Sequence, residues 1–299
     1  MDNKAFDPVE IVKQRIEEQK LKEVAALMSQ VHDLEHATPE LKCNRQLILE
    51  FVKKDGTNLK FACEKLQNDK ELVMIAVKQN AEAISYASAA LKKDKEVGLE
   101  AVKRDWNTLF HLTSQLRGDI EIVLAAIRQE PAALEFATPD LRNDKTIVKE
   151  AVKLKGEVFY YASDALKQDR RFVLDILTLS PSAFKYIAPE LQNDKDLILL
   201  ALKKERNVFR FIPVELKDDV DFFLEAVKEQ PGIIEFASPS LKENKSLILE
   251  IVRKDGLALQ HVSKELRKDP EIVFEAMKNN PEALKYATDE FRAQLKKYL

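Results

Sequence analysis

The sequence predicts an all-α protein: an α-solenoid of ten 25-residue repeats, each with a longer and a shorter helix. Three observations lead to this prediction. A leucine recurs every 25 residues, an aspartate or asparagine follows it three residues later, and a glycine or proline often interrupts the repeat. The repeats run from Leu41 to Glu290 without an insertion or deletion. We number the repeats 1 to 10 and the positions within each repeat 1 to 25.

Position 1 is leucine in every repeat, and Phe291 takes the same place after the last one. The ten leucines are Leu41, Leu66, Leu91, Leu116, Leu141, Leu166, Leu191, Leu216, Leu241 and Leu266. A single repeat is too short to bury its own apolar side chains, so stability must come from stacking of neighbours. We therefore interpret position 1 as a buried packing position.

Position 4 predicts the start of the longer helix, because Asp and Asn are favoured N-cap residues. Apolar side chains follow it at helical spacing. In repeat 2 these are Leu72, Val73, Met74, Ala76 and Val77, which cover more than half of the helix circumference. Such a helix must be covered on two sides.

Position 16 predicts the break between the two helices. It is Gly56, Gly156 and Gly256 in three odd-numbered repeats, and proline, as at Pro131, in four even-numbered ones. Glycine commonly ends a helix and proline commonly starts one, so a shorter helix should follow. The alternation groups the ten repeats into five 50-residue pairs.

The flanking segments predict the ends of the domain. Residues 1–40 are expected to form an N-terminal helical cap opened by Asp7-Pro8, residues 41–290 the ten-repeat solenoid, and residues 291–299 the end of the last helix. The first residues contain no apolar signal-peptide core, and the longest apolar run, Leu197 to Leu202, is too short to span a bilayer. No membrane association is expected.

Composition narrows the classes of partner and the compartment. Lysine and arginine number 48 against 51 acidic residues, for a net charge of −3, which does not suit a general binder of nucleic acid or anionic membranes. Cys43 and Cys63 form no C-x-x-C pair and cannot build a framework of several disulfides. A reducing compartment is therefore expected.

The repeat pattern resembles a known but uncharacterised family. The pattern L-x-N-D-K-E-x-V-x-x-A-V-K-x-N-P-x-A-L-x-Y-A-S is similar to a tandem helical repeat of about 50 residues, found mainly in amoeba-associated bacteria and in secreted effectors of intracellular pathogens. The resemblance covers Leu41 to Glu290. It implies a bacterial cytoplasmic protein that can be translocated into a host cell, and it carries over no activity.

Motifs for catalysis are absent from the sequence. The six glycines open no phosphate-binding loop, and there is no G-x-S-x-G elbow. His32 and His36 lie four apart beside Asp33 and Glu35, but without a third convergent ligand ordinary surface histidines are the better interpretation. We expect no catalytic residue, no metal, no cofactor and no enzymatic activity.

Two periodic features leave a second function open. Position 13 is basic in nine of the ten repeats, and position 21 is Phe, Tyr or His in all of them. The basic residues complement the helix dipole, and the rings suit packing between repeats. A basic ridge beside an aromatic ladder would also suit a nucleic-acid-binding repeat protein, whose affinity would fall steeply with salt.

The favoured function is a monomeric, non-catalytic protein-binding solenoid. Positions 16 and 20 are four apart and would share one face of an α-helix. At these positions repeats 3, 5 and 7 carry Trp106 with Phe110, Tyr160, and Arg206 with Arg210. Trp, Tyr and Arg dominate interface hot spots, so we predict these residues as the partner-binding site. The alternative is that Trp106 and Phe110 turn inward to fill a local gap.

The first testable prediction concerns the leucine positions. Leu141→Ala should lower the free energy of unfolding by ~2 to 5 kcal/mol, because it leaves a cavity at a buried packing position. Urea denaturation of both proteins measures this change. A mutant as stable as the wild type would show that the 25-residue register is wrong.

Overall fold

The computed structural model describes residues 15, 18, 19, 22–29, 31 and 33–296, and this part of the chain contains helices and turns but no β-strand. The predicted class, an all-α helical-repeat solenoid, is confirmed. The chain divides into two compact units, Met1–Leu141 and Arg142–Leu299. The first unit holds repeats 1 to 4, and the second holds repeats 5 to 10. Among the described residues, no helix is both long enough and apolar enough to cross a bilayer.

Each repeat contains one long α-helix that begins at position 5. In the first unit these helices are Arg45–Lys54, Lys70–Gln79, Lys95–Arg104 and Ile120–Ile127. In the second unit they are Lys145–Leu154, Arg170–Leu179, Lys195–Leu202, Val220–Glu229, Lys245–Lys254 and Pro270–Asn279. Before each of them, the Asp or Asn at position 4 has extended backbone, and its side chain accepts a hydrogen bond from a backbone N–H of the first turn. The predicted N-caps are confirmed.

The shorter helix of each repeat is a six-residue 3-10 helix that begins at position 16. In the first unit these are Gly56–Phe61, Ala81–Tyr86, Trp106–His111 and Pro131–Phe136. In the second unit they are Gly156–Tyr161, Pro181–Tyr186, Arg206–Phe211, Pro231–Phe236, Gly256–His261 and Pro281–Tyr286. The sequence predicted a helix here but not its 3-10 geometry, which is the usual form of such short pieces.

Brief helical turns join successive repeats. They span Pro39–Lys42, Glu64–Gln67, Leu91–Lys93, Ser114–Arg117, Pro139–Arg142, Asp164–Gln168, Leu191–Asn193, Val214–Lys217, Pro239–Lys242 and Leu266–Lys268, and Asp289–Leu295 follows the last repeat. The position-1 leucine lies in each turn. Six of the ten are buried, Leu141 among them, and Leu41, Leu191, Leu216 and Leu266 are half-buried.

The core lies between the long helix and the 3-10 helices on either side of it. In repeats 2 to 9 positions 7, 8, 11 and 12 are all buried, as Leu72, Val73, Ala76 and Val77 illustrate. These four positions span a wide arc of the helix, so a single neighbour cannot cover them. The structure thus confirms the predicted helix covered on two sides.

Glycine at position 16 permits a close approach between consecutive repeats. A Cβ added to Gly256 would collide with the carbonyl oxygen of Ala276 and lie 3.1 Å from the backbone nitrogen of Asn280. The Gly256 N–H also donates a hydrogen bond to Asn279 Oδ1, at 2.8 Å. The predicted break is present here, since the long helix ends at Lys254 and the 3-10 helix begins at Gly256, and no described glycine has a positive φ. The missing side chain of Gly256 is what the packing requires.

Ion pairs connect the N-terminal ends of neighbouring long helices. Position 5 is basic in seven repeats, and in each case it pairs with the position-4 Asp of the next repeat; Arg170 Nε, for example, lies 2.6 Å from Asp194 Oδ2. Arg170 also reaches Asp196, at position 6, at 2.8 Å. Many position-4 carboxylates therefore have a second role besides capping, because a base of the preceding repeat also neutralises them.

The predicted N-terminal cap is described only in part. Asp7-Pro8, its expected start, lies outside the described residues, while residues 22–29 are helical. Val24, Val31 and Leu34 are buried in this segment.

The glycine contact gives a matched pair of substitutions in the second unit. We expect Gly256→Ala to lower the free energy of unfolding by about 1–3 kcal/mol, because the new methyl group meets backbone atoms that cannot move aside. Gly232→Ala is the control, since its Cβ would come no closer than 3.4 Å to Arg206 Nη1. The control should be neutral or slightly stabilising. Equal urea midpoints for the two variants would contradict the close-approach explanation.

The ion pairs predict a loss of stability in acid. Arg170 holds the pKa of Asp194 below its usual range; burial opposes this shift and the Leu197 N–H adds to it. A carboxyl whose folded pKa is depressed stabilises the protein above its unfolded pKa of about 3.9, and this contribution is lost as the pH falls through the folded value. Unfolding free energy should therefore decline below about pH 4.

Asp194→Asn tests this assignment, because asparagine keeps the N-cap acceptor but cannot titrate. Asn244 is a natural N-cap of this kind in repeat 9. Its stability should change less between pH 5 and pH 3 than that of the wild type, roughly the range in which an aspartate protonates. If urea denaturation gave identical pH profiles for the variant and the wild type, titration of Asp194 would not cause the loss of stability in acid.

Candidate functional site

The exposed edge of each 3-10 helix is formed by positions 17 and 20, which are exposed or half-buried in every repeat. Residues three apart eclipse each other in a 3-10 helix, so position 20 aligns with position 17, and position 16 aligns with position 19. Position 19 belongs to the core, as buried Leu109 shows. The prediction that positions 16 and 20 share a face is therefore wrong, because it assumed α-helical spacing.

Trp106 and Phe110 in the first unit show the consequence of this geometry. Trp106 is half-buried, and its ring stacks on Phe136 with centroids 6.2 Å apart. Phe110 is 61% exposed and meets Phe136 edge-on at 5.8 Å and His111 at 5.5 Å. The alternative that both rings turn inward to fill a gap therefore holds in part for Trp106, whereas Phe110 faces solvent. We call Trp106, Phe110, His111 and Phe136 the aromatic cluster.

Tyr160 in the second unit stands in the same kind of environment. It is 60% exposed and lies edge-on to Tyr186, 5.7 Å away, and to Tyr161, 5.3 Å away. The Lys167 ammonium sits 5.4 Å from the centre of its ring. Contacts on these sides hold a large, amphipathic ring at the surface.

Arg206 and Arg210 lie on one 3-10 helix of the second unit, and both are exposed. The Arg210 guanidinium stacks over Phe236 at 4.9 Å from the ring centre. Arg206 Nη1 lies 3.7 Å from Glu235 Oε2, at the edge of an ion pair. The stacked guanidinium keeps its N–H donors available at its rim, where they can pair with a carboxylate.

A common rule connects these residues. The side chain at position 20 rests on the position-21 ring of the next repeat, 26 residues on: Phe110 on Phe136, Tyr160 on Tyr186, and Arg210 on Phe236. Nine of the ten position-21 rings are half-buried and Phe211 is exposed. The sequence predicted that the rings pack between repeats but not that they support position 20, although the repeat register contains the 26-residue offset.

A groove of about 280 Å³ opens among three successive 3-10 helices of the second unit. Val208, Phe211 and Pro181 supply its apolar lining, and Arg210 stands at its wall. Across it Lys185 pairs with Glu157 at 2.9 Å. Hydrogen bonding to Tyr186, and then to Glu157, raises the pKa of Lys185, so this amine is held as a cation. No pattern in the sequence predicted this groove.

The basic residues at position 13 are partly neutralised. Lys153 and Lys278 pair with the glutamate three residues earlier, at 2.6 Å in both cases, and Arg253 pairs with Glu275 at 3.0 Å. Lys53 pairs with Glu50 in the same way, at 2.7 Å. The ridge considered for nucleic acid therefore carries less free positive charge than the sequence pattern indicates.

Of the two histidines considered as metal ligands, only His36 belongs to the described residues. His32 lies outside the described residues. His36 Nδ1 lies 2.8 Å from Asp33 Oδ2, and this hydrogen bond raises the pKa of the imidazole. Within the described part of the chain, no three His, Cys, Asp or Glu residues converge on a point that could hold a metal ion.

The repeated pairs of long α-helices and 3-10 helices define the chain as an all-α helical-repeat protein. The family model called Domain of unknown function (DUF4116) matches residues 25–67, 44–92, 69–117, 119–167, 169–217, 206–242, 219–264 and 244–292. The chain belongs to this family, and its overlapping matches confirm the resemblance to an uncharacterised tandem repeat of about 50 residues. Comparisons with curated proteins and with solved structures gave no match.

Proposed function

We propose that the protein is a monomeric, non-catalytic binding protein whose 3-10 edges contact a protein partner. The observation that supports this most directly is the exposure of Phe110 and Tyr160, at 61% and 60%, although each is held against rings of its own unit. Apolar rings of this size are rarely left in water without a use when they cluster. Arg206 and Arg210 add donors for carboxylates, so the partner presents acidic groups beside apolar ones.

The energetics favour recognition at these positions. A side chain already immobilised by its neighbours loses little conformational entropy when it binds. Phe110, Tyr160 and Arg210 meet this condition, because each rests on the ring of the following repeat. Such anchors supply a large share of binding energy in protein interfaces.

The resemblance to effector repeats extends the proposal to a cellular role. We place the protein in the bacterial cytoplasm, with translocation into a host cell, where it acts as an effector or an effector regulator on a host or bacterial protein. The support is the repeat pattern itself and the membership in a tandem-repeat family.

A nucleic-acid partner fits the surface less well. The position-13 cations are partly paired with glutamates. The net charge is −3, and phosphate binding depends on an excess of free cations. Base stacking on the position-21 rings would also compete with their packing between repeats.

A quantitative pull-down from host and bacterial lysates tests the protein-binding proposal. Phe110→Ala and Arg210→Glu should each reduce capture of a specific protein at least about tenfold, the weakening expected when a hot-spot residue is lost. Leu179→Ala and Lys264→Glu are the matched controls, because both residues are exposed and neither stands at a position of the 3-10 edge or at a predicted site residue. All four variants should melt close to the wild type.

The controls and a nuclease step decide the interpretation. Normal capture by both site variants would mean that this surface is not the site. Equal losses in Arg210→Glu and Lys264→Glu would indicate a general charge effect instead. Capture that disappears after nuclease treatment and falls steeply with salt would favour the nucleic-acid alternative.

A further inference from the structure

Cys43 and Cys63 are joined by a disulfide in repeat 1. Their Cα atoms are 5.2 Å apart, and the bond closes the chain across a separation of 20 residues. The enclosed segment contains the long helix Arg45–Lys54 and the 3-10 helix Gly56–Phe61. Cys43 is exposed and Cys63 is half-buried, so solvent reaches the bond. Two cysteines cannot build a framework of several disulfides, but this single bond was not predicted from the sequence.

Other repeats show what this pair replaces. The cysteines occupy positions 3 and 23, and in repeat 2 the same positions hold Asn68 and Ser88, with the Ser88 hydroxyl donating to Asn68 Oδ1 at 2.6 Å. In repeat 5, Ser163 donates to Asn143 in the same way, at 2.5 Å. The disulfide therefore stands where a neutral hydrogen bond closes other copies of the repeat.

The backbone holds the two positions together independently of the side chains. The Cys63 N–H donates to the Lys42 carbonyl at 3.0 Å, and position 23 makes the same bond to position 2 in several further repeats, including Ser88 to Gln67 at 2.9 Å. A repeat can thus close without the covalent link. Breaking the disulfide should loosen repeat 1 without preventing it from folding.

We propose that Cys43–Cys63 is a reversible redox site that sets the local stability of repeat 1, with a dithiol as its reductant. One thiolate of the dithiol attacks the exposed Cys43 Sγ, forms a mixed disulfide and releases the Cys63 thiolate, which takes up a proton. The second thiol of the reductant then closes its own disulfide and releases Cys43 as a thiol. Two electrons and two protons pass from the dithiol to the two cysteines.

The expected compartment and the repeat architecture both fit this proposal. In reducing compartments, disulfides are mostly transient or redox-sensing and seldom permanent. In a repeat array, a change in one repeat acts chiefly on that repeat and its neighbours. The proposed site therefore regulates one end of the described array, independently of the proposed binding function.

Native-state hydrogen exchange with mass spectrometry tests the proposal on the full-length chain, in aerated buffer and in dithiothreitol. Reduction should accelerate amide exchange within residues 45–61 on the order of 100-fold, because the unfolded loop regains its freedom. Residues 145–161, closed by Asn143 and Ser163, should show no change. The oxidised chain should have a mass lower by two hydrogens than the reduced chain.

The double variant Cys43→Asn/Cys63→Ser is the matched control, because it installs the pair found in repeat 2. Its exchange should be the same with and without dithiothreitol and should resemble that of the reduced wild type. Two free thiols per chain in aerated buffer would overturn the proposal. So would identical wild-type protection in both buffers, a measurement that does not depend on how the variant folds.

Discussion

Within each compact unit, the close approach of 3-10 helices to the long helix of the following repeat is the constraint on which the packing depends. At Gly56 and Gly256 the approach leaves no room for a Cβ, because the carbonyl oxygens of Ala76 and Ala276 occupy that space. Small residues on both sides bring the backbones together, and the larger residues at positions 7, 8 and 12 then fill the remaining volume. An inserted residue would disturb the packing of its own repeat and of the neighbouring repeats. This explains why the 25-residue period is unbroken.

The same register determines where the charges go. Since consecutive repeats stack with one offset, a base at position 5 meets the acids at positions 4 and 6 of the next repeat, as Lys70 meets Asp94 and Glu96 at 2.8 Å. Each exposed pair contributes only ~0 to 1 kcal/mol, so these contacts align repeats more than they stabilise them. Because of this pairing, few charges at positions 4, 5 and 6 are left unpaired, although 33% of the residues in the chain are charged.

Local patterns predicted much of the fold. The N-caps such as Asp69 and the long helices that follow them depend on adjacent residues, and both are confirmed. The 3-10 geometry was missed, because six residues are too few to separate a period of three from one of 3.6. This error carried over to the site, where Trp106 is half-buried while Phe110 is exposed. The disulfide depends on which positions meet across a repeat, and the side-chain types alone do not show that.

Core packing and surface chemistry are separable at position 20 but coupled at position 16. The rings that support position 20, Phe136, Tyr186 and Phe236, are all half-buried, so the platform is the same whether position 20 is Phe110, Tyr160 or Arg210. Replacing such an exposed side chain removes few core contacts. Trp106, by contrast, shares its ring surface between solvent and Phe136, so changing it alters packing and surface together. A repeat protein built this way can vary its exposed surface at position 20 while the core that fixes its register stays constant.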